Sequence, residues 1–244
     1  MEEIYHTISW DEIKTTTKLA NNKAPELNVV SSNAFKALDD INISCILIFY
    51  NQFCNSQADF GEWHKGQVVP VPKKGDTSVP NKWIGFTLMD IINNIHSSIM
   101  CGQLFKIIIK HGVKCQFGYT PWVGCQYGKF AIKTLLHIRH NHDLPTWVAF
   151  VDLVKSFTTS NHALLITVLV KYGAPPSLCP EIKCMYDKIV VKIIIVKIET
   201  SSDFKVGLKQ GYRKAMVIFL FLMMAFAETL EDKWTDLGWS KSQF

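Results

Sequence analysis

The sequence predicts an α+β fold in which capped helices pack on an antiparallel-rich sheet. Three observations carry that reading. Apolar residues recur at helical spacing in several stretches bounded by capping or stop signals. Two other runs, Trp147 to Leu153 and Val190 to Ile198, are dense in β-branched and aromatic residues, as strands are. Hydrophobic content of 48% against charged content of 19% supports a folded core rather than a disordered chain.

Ser9 and Glu12 form a capping box, so a helix runs from Trp10 to about Leu19 and ends at Asn21-Asn22. A second helix is expected from Asn33 to about Ile41 and an apolar third from Ile43 to Phe53. Gln67 to Pro72 reads as a short edge strand, because Pro70 and Pro72 cannot donate to a ladder, and it leads into a basic glycine turn. A helix from about Met89 to Lys110 carries Ile91, Ile92, Ile95 and Ile99 on one face and stops at Gly112. The next, about Gln126 to His140, is expected to bury Ala131, Thr134, Leu135 and Ile138. Trp147 to Leu153 reads as a strand buried on both faces and ending near Asp152. Asn161 then caps a helix with a stripe of Leu164, Leu165, Val168, Leu169 and Tyr172, closed by Gly173 and stopped by Pro175-Pro176. Pro180 and Glu181 start a short helix to about Lys188, Val190 to Ile198 is a strand, and a long helix runs through Glu231.

Composition narrows the function classes. The 26 basic and 21 acidic residues leave a net charge of +5, compatible with a nucleic-acid partner without demanding one. Seven cysteines are scattered singly with no C-x-x-C pair, and no apolar leader comes after Glu2 and Glu3, so an intracellular location in cytoplasm or nucleus is expected rather than secretion. The apolar run Ala215 to Ala227 is 13 residues, shorter than a bilayer span, and reads as a buried helix; no membrane partner is expected.

Chemistry concentrates at Asp152. A carboxylate at a strand end is either a solvated terminus or a metal ligand held on a rigid edge. Lys73 and Lys74, exposed at another strand end, read either as a solubilising turn or as phosphate contacts. Phe157 is either plain core or a bulky gate beside a substrate. His137, His140 and His142 cluster at a helix C-terminus, where the dipole favours them without any metal.

With those residues in view, "FVDLVKSFTTSNH" resembles motif A of the reverse transcriptases of non-LTR retrotransposons, roughly F-x-D-x-x-K-A-F-D-x-x-x-H. The likeness continues in the family's order through "NNKAPELN", "VVPVPKKGDTSVPNKWIGFTLMD", "CQFGYTP" and "VGLKQG", the last similar to motif B. It implies a right-hand polymerase fold: residues 1–140 as a fingers-like region with N-terminal helices, 141–244 as a partial palm with an antiparallel sheet, and no thumb. It also implies two-metal nucleotidyl transfer with Mg2+, acting on RNA template, DNA primer and dNTP. By the same resemblance Asp152 is the catalytic and metal-binding acid, Lys73, Lys74, Phe157, Gln210 and Gly211 line the nucleotide, and Tyr119 and Trp122 lie in the template-contacting loop.

The departures from the pattern bear on activity. Ile84 stands where the family carries a triphosphate-binding Arg, and an alkyl chain cannot make the forked bonds of a guanidinium. Thr120 and Val123 replace template-contacting arginines, Tyr212 replaces the acid after Gln210-Gly211, and no Y/F-x-D-D sequence occurs. Two-metal catalysis needs a carboxylate cluster, and Asp152 is the one acid with a motif-based claim. The expectation is a reverse transcriptase domain fragment truncated before the Y/F-x-D-D motif and inactive as this chain. The alternative is a degenerate, non-catalytic remnant that at most binds nucleic acid weakly.

Overall fold

The computed structural model describes residues 7–18, 32–56, 65–111, 116–120, 123–153, 156–187, 190–195, 198–203, 207–208 and 213–238. It is a mixed helix and strand fold. Helices α1 (Trp10–Thr16), α2 (Ser32–Lys36) and α3 (Asp40–Ser56) come first, then a hairpin of β1 (Lys65–Pro72) and β2 (Trp83–Leu88). Helices α4 (Ile91–His111), α5 (Cys125–Asn141), α6 (Ser156–Thr159), α7 (His162–Lys171) and α8 (Leu178–Asp187) precede a second hairpin, β3 (Val190–Ile195) and β4 (Ile198–Asp203), and α9 (Arg213–Asp236) closes the described chain.

The local devices read from the sequence act as expected where they lie in described residues. Ser9 Oγ accepts from the Glu12 N-H at 3.3 Å while the Glu12 carboxylate accepts from the Ser9 N-H at 2.9 Å, so both exposed donors at the start of α1 are satisfied. Asn161 caps α7 by accepting from the N-H groups of Ala163 and Leu164. Gly173 comes after that helix with φ of +80°, a conformation that costs a residue with a Cβ.

The sheet has the order β2-β1-β3-β4, with β1 antiparallel to β2, parallel to β3, and β3 antiparallel to β4. It joins strands from both sides of residue 140. Two expectations are corrected here. Val190 to Ile198 is not one strand: β3 ends at Ile195, and Ile198 opens β4, which pairs back on it antiparallel. β1 is not an edge strand throughout, since residues 65–68 also pair with β3. Its prolines sit in the other half, and the bond from the Lys73 N-H to the Lys82 carbonyl shows that odd-numbered residues point their N-H groups at β2. The missing N-H groups of Pro70 and Pro72 therefore face the open side, where no ladder bond is lost.

α4 is the spine of the core. Ile91, Ile95 and Ile99 join a first cluster with Ile8, Ile13, Ile43, Tyr50 and Phe53. Met100, Leu104, Ile107 and Ile108, further along the same helix, join a second cluster with residues of α7, α8 and α9. α9 packs on α4 and α7, burying Ala215, Ile218, Leu220, Phe221 and Met224 as the apolar run suggested. Ile92 and Leu164 depart from their expected stripes and are exposed. Among the described residues, no helix is long and apolar enough to cross a membrane.

The largest correction concerns α5 and the segment C-terminal to it. α5 forms where the periodicity placed it but buries none of its residues, and Ala131, Thr134, Leu135 and Ile138 face outward. Trp147 to Leu153 is not a strand and not part of the sheet; it is irregular, with Trp147 96% and Phe150 88% exposed. The physical reason is that a strand's backbone bonds must come from a neighbour, and none of the four strands lies beside this stretch.

Candidate functional site

Asp152 lies in that exposed, irregular stretch rather than at the end of a rigid strand. The stretch is tied to α5 at its start: the Arg139 guanidinium donates to the Pro145 carbonyl at 2.9 Å and to Thr146 Oγ1 at 2.7 Å. Asp143, in the turn between them, takes a left-handed φ of 50°, which short polar side chains tolerate.

Beyond Asp152 the chain becomes ordered against the core. Phe157, on α6, stacks on Phe219 of α9 with ring centroids 4.4 Å apart and 22° between the planes, and Tyr119 meets it nearly at a right angle at 6.3 Å. The Phe157 carbonyl accepts from the Leu208 N-H, the Ser160 carbonyl accepts from the Gly207 N-H at 3.0 Å, and His162 Nε2 lies 2.8 Å from the Gly207 carbonyl. Residues 157–162 and 207–208, some 45 positions apart, are thus held as one unit. Phe157 is half-buried and packs against the second core cluster.

Tyr119 is half exposed and holds φ of 58°, strained for a residue with a bulky side chain, in a turn steadied by the bond from Thr120 Oγ1 to the Gln116 carbonyl at 2.9 Å. Lys73 and Lys74 are exposed just past β1, in the turn where Asp76 accepts from the Ser78 N-H at 2.9 Å. That bond holds the Asp76 carboxyl below its ordinary range. Gln210, Gly211 and Trp122 lie outside the described residues.

The described donors around Asp152 form no cluster that would hold a pair of Mg2+ ions. Among the described residues Asp152 belongs to no group of three His, Cys, Asp or Glu donors, and one exposed carboxylate on an irregular segment holds Mg2+ only with help from a substrate's phosphates.

The one such donor group among the described residues is elsewhere and was not anticipated from the sequence. Cys54 of α3, His96 of α4 and Glu181 of α8 meet at the junction of the two core clusters, all buried, with Lys214 of α9 beside them. His96 Nε2 is 3.2 Å from Glu181 Oε1 and 3.8 Å from Cys54 Sγ, and Lys214 Nζ is 3.5 Å from His96 Nδ1. Burial pushes the Lys214 ammonium down to about 8, against the opposing pull of Glu181. Burial, and then the Glu181 charge, push the Cys54 thiol well up. The sequence signal was a His and a Lys among apolar helical residues, but nothing local pairs positions so far apart.

With this geometry described, comparison with known proteins gives a class and one particular relative. No protein-family model matches the chain. A curated relative does, and it supports a retrotransposon-related origin: the Retrovirus-related Pol polyprotein from type-1 retrotransposable element R2 of Bradysia coprophila, 23% identical over 210 aligned positions. The alignment covers 79% of this chain and 22% of the relative, so the chain spans about a fifth of that polyprotein's length.

Proposed function

We propose that this chain is a reverse transcriptase domain fragment, related to RNA-directed DNA polymerases, that does not add nucleotides as it stands. In this reading residues 1–140 are fingers-like and 141–244 a partial palm, with RNA template and DNA primer as the nucleic acids of the ancestral reaction. The observation that carries the reading is the joining of Phe157–His162 to Gly207–Leu208, which holds the segment just after the motif A-like acid against the lead-in to the motif B-like Gln210-Gly211. A nucleotide site built from both motifs would need these two segments, some 45 residues apart, to lie side by side.

Inactivity is a consequence of the residues themselves. Among the described residues Asp152 stands in no cluster of acids, and Ile84 leaves half of a triphosphate clamp missing. Losing one electrostatic clamp typically costs about 10²- to 10³-fold in rate, and groups that act as a unit fail together. Residual nucleic-acid contact is the second reading, favoured by exposed α5, which carries Lys129, Lys133 and Arg139 with Tyr127 and Phe130 and no acid. Such contact is weak, indifferent to sequence and lost with salt.

Primer extension on an RNA template with Mg2+ or Mn2+ tests the main reading, with the Asp152→Ala chain as control. Equal background in both is expected. Template-dependent incorporation that disappears in Asp152→Ala would overturn inactivity and make Asp152 a working catalytic residue. Titration of a labelled RNA–DNA hybrid tests the second reading; binding that survives high salt would contradict it.

A further inference from the structure

The buried cluster at the junction of the two core halves takes no part in the motifs above, and its donor atoms are spaced as a metal's ligands are. Cys54, His96 and Glu181 each offer one ligand atom, and these atoms lie within 4.8 Å of one another. A tetrahedral zinc ion bonds sulfur at about 2.3 Å and nitrogen or oxygen at about 2.0–2.1 Å, so neighbouring ligands stand about 3.6 Å apart for S and N and about 3.3 Å for N and O. The corresponding separations here are 3.8 Å and 3.2 Å. Thiolate, imidazole and carboxylate are also the three protein donors that zinc takes.

The geometry points to a site for one zinc-class divalent ion, held by Cys54 Sγ, His96 Nε2 and the Glu181 carboxylate, with the fourth position filled by water or the second carboxylate oxygen. Sulfur and carboxylate oxygen converge on the same imidazole nitrogen. Binding is an exchange of ion for protons: the Cys54 thiol loses its proton as the thiolate forms, and the imidazole keeps one proton, now on Nδ1. Lys214 Nζ, 3.5 Å from Nδ1, stands at the outer position that a partner of a metal-bound His ordinarily holds. Thiolate and carboxylate then balance the charge of the ion. Among the described residues Tyr50, whose ring lies against His96 at 5.2 Å, and Cys101, which interacts with Lys214, are further ionisable groups near the site. The consequence is architectural: the ion ties α3 to α4 and α8, and so joins the N-terminal helices to the second core.

The test is titration of the full 244-residue chain, stripped with chelator, with Co2+ as a spectroscopic probe and Zn2+ as competitor. One ion per chain is expected, with the ligand-field bands of a tetrahedral site and a thiolate-to-cobalt charge-transfer band, together with a higher melting temperature in Zn2+. Cys54→Ser should abolish the charge-transfer band and weaken binding at least about 10- to 100-fold, the range already seen when outer partners of a metal ligand are lost. A chain with exposed Cys45 and Cys125 both changed to Ser should keep both signals. Bands that survive Cys54→Ser but vanish in that control would overturn the proposal, as would failure to take up Co2+. Should Cys54→Ser not fold, X-ray absorption of the zinc-loaded natural chain decides: one sulfur with nitrogen and oxygen neighbours supports the site, and a shell of oxygen alone refutes it. No nucleic acid enters the experiment, so its outcome is independent of the polymerase reading.

Discussion

Helix α9 and the stretch 144–153 are both apolar runs of this chain, yet one is buried in the core and the other stands in solvent. The difference lies in how each satisfies its backbone. A helix closes its own N-H to C=O bonds within a turn, so α9 needs from the rest of the chain only a surface for its side chains, and α4 and α7 supply it. A β-prone stretch must take its backbone bonds from a neighbouring strand and bury its side chains at the same time, and here neither condition is met. Apolar sequence states what is to be covered, but only an element that is locally complete can be covered by whatever lies nearby. α5 is the intermediate case. It forms as a helix on local bonds alone, yet Phe130, Leu135 and Ile138 remain exposed because no element buries them.

That contrast can be broken by mutation, and the largest effect belongs to the charged junction inside the packed half. Lys214→Met, measured by urea unfolding in chelator, leaves Glu181 buried with its cation removed and should cost about 3–5 kcal/mol. Adding Glu181→Gln should recover a good part of that; no recovery would mean that Lys214 stabilises through its stem and not its charge. Next comes a matched pair of truncations. Leu104→Ala, in the fully buried part of α4, should cost about 2–5 kcal/mol. Trp147→Ala should stay within about 0.5 kcal/mol despite removing a larger side chain. Equal losses would show that the 144–153 stretch is covered in solution.

Smaller effects separate local devices from tertiary ones. Ser9→Ala removes one half of the capping box and should lower stability by about 1 kcal/mol, with Ser9→Gly milder. A loss of several kcal/mol would mean that this end of α1 carries more than its cap. The smallest effect is expected at the Lys171 and Glu228 pair, 2.7 Å apart between α7 and α9 with both side chains partly exposed. Lys171→Ala should cost about 0.2–1 kcal/mol at neutral pH. Lys171 holds the Glu228 carboxyl below its ordinary range. The contribution is therefore present above the ordinary carboxylate range and fades as pH falls through the lowered value, so natural chain and variant should converge in acid.

What the sequence determined by itself is what local bonds can determine. The Ser9 and Glu12 box, the Asn161 cap, the Gly173 stop and the open-side prolines Pro70 and Pro72 are all satisfied within a few residues or one hairpin, so their chemistry could be read where it stands. The extent of α4 was legible from its apolar spacing for the same reason. The tertiary structure alone decided which apolar faces found a partner. It paired β1 with β3 across more than a hundred residues, left α5 and the stretch around Asp152 outside the core, and brought Phe157 to Gly207. It also assembled Cys54, His96, Glu181 and Lys214 from four helices. Each of those outcomes depends on contacts between distant positions, whose free energy is set by shape and burial in the folded chain and leaves no trace in the spacing of neighbouring residues.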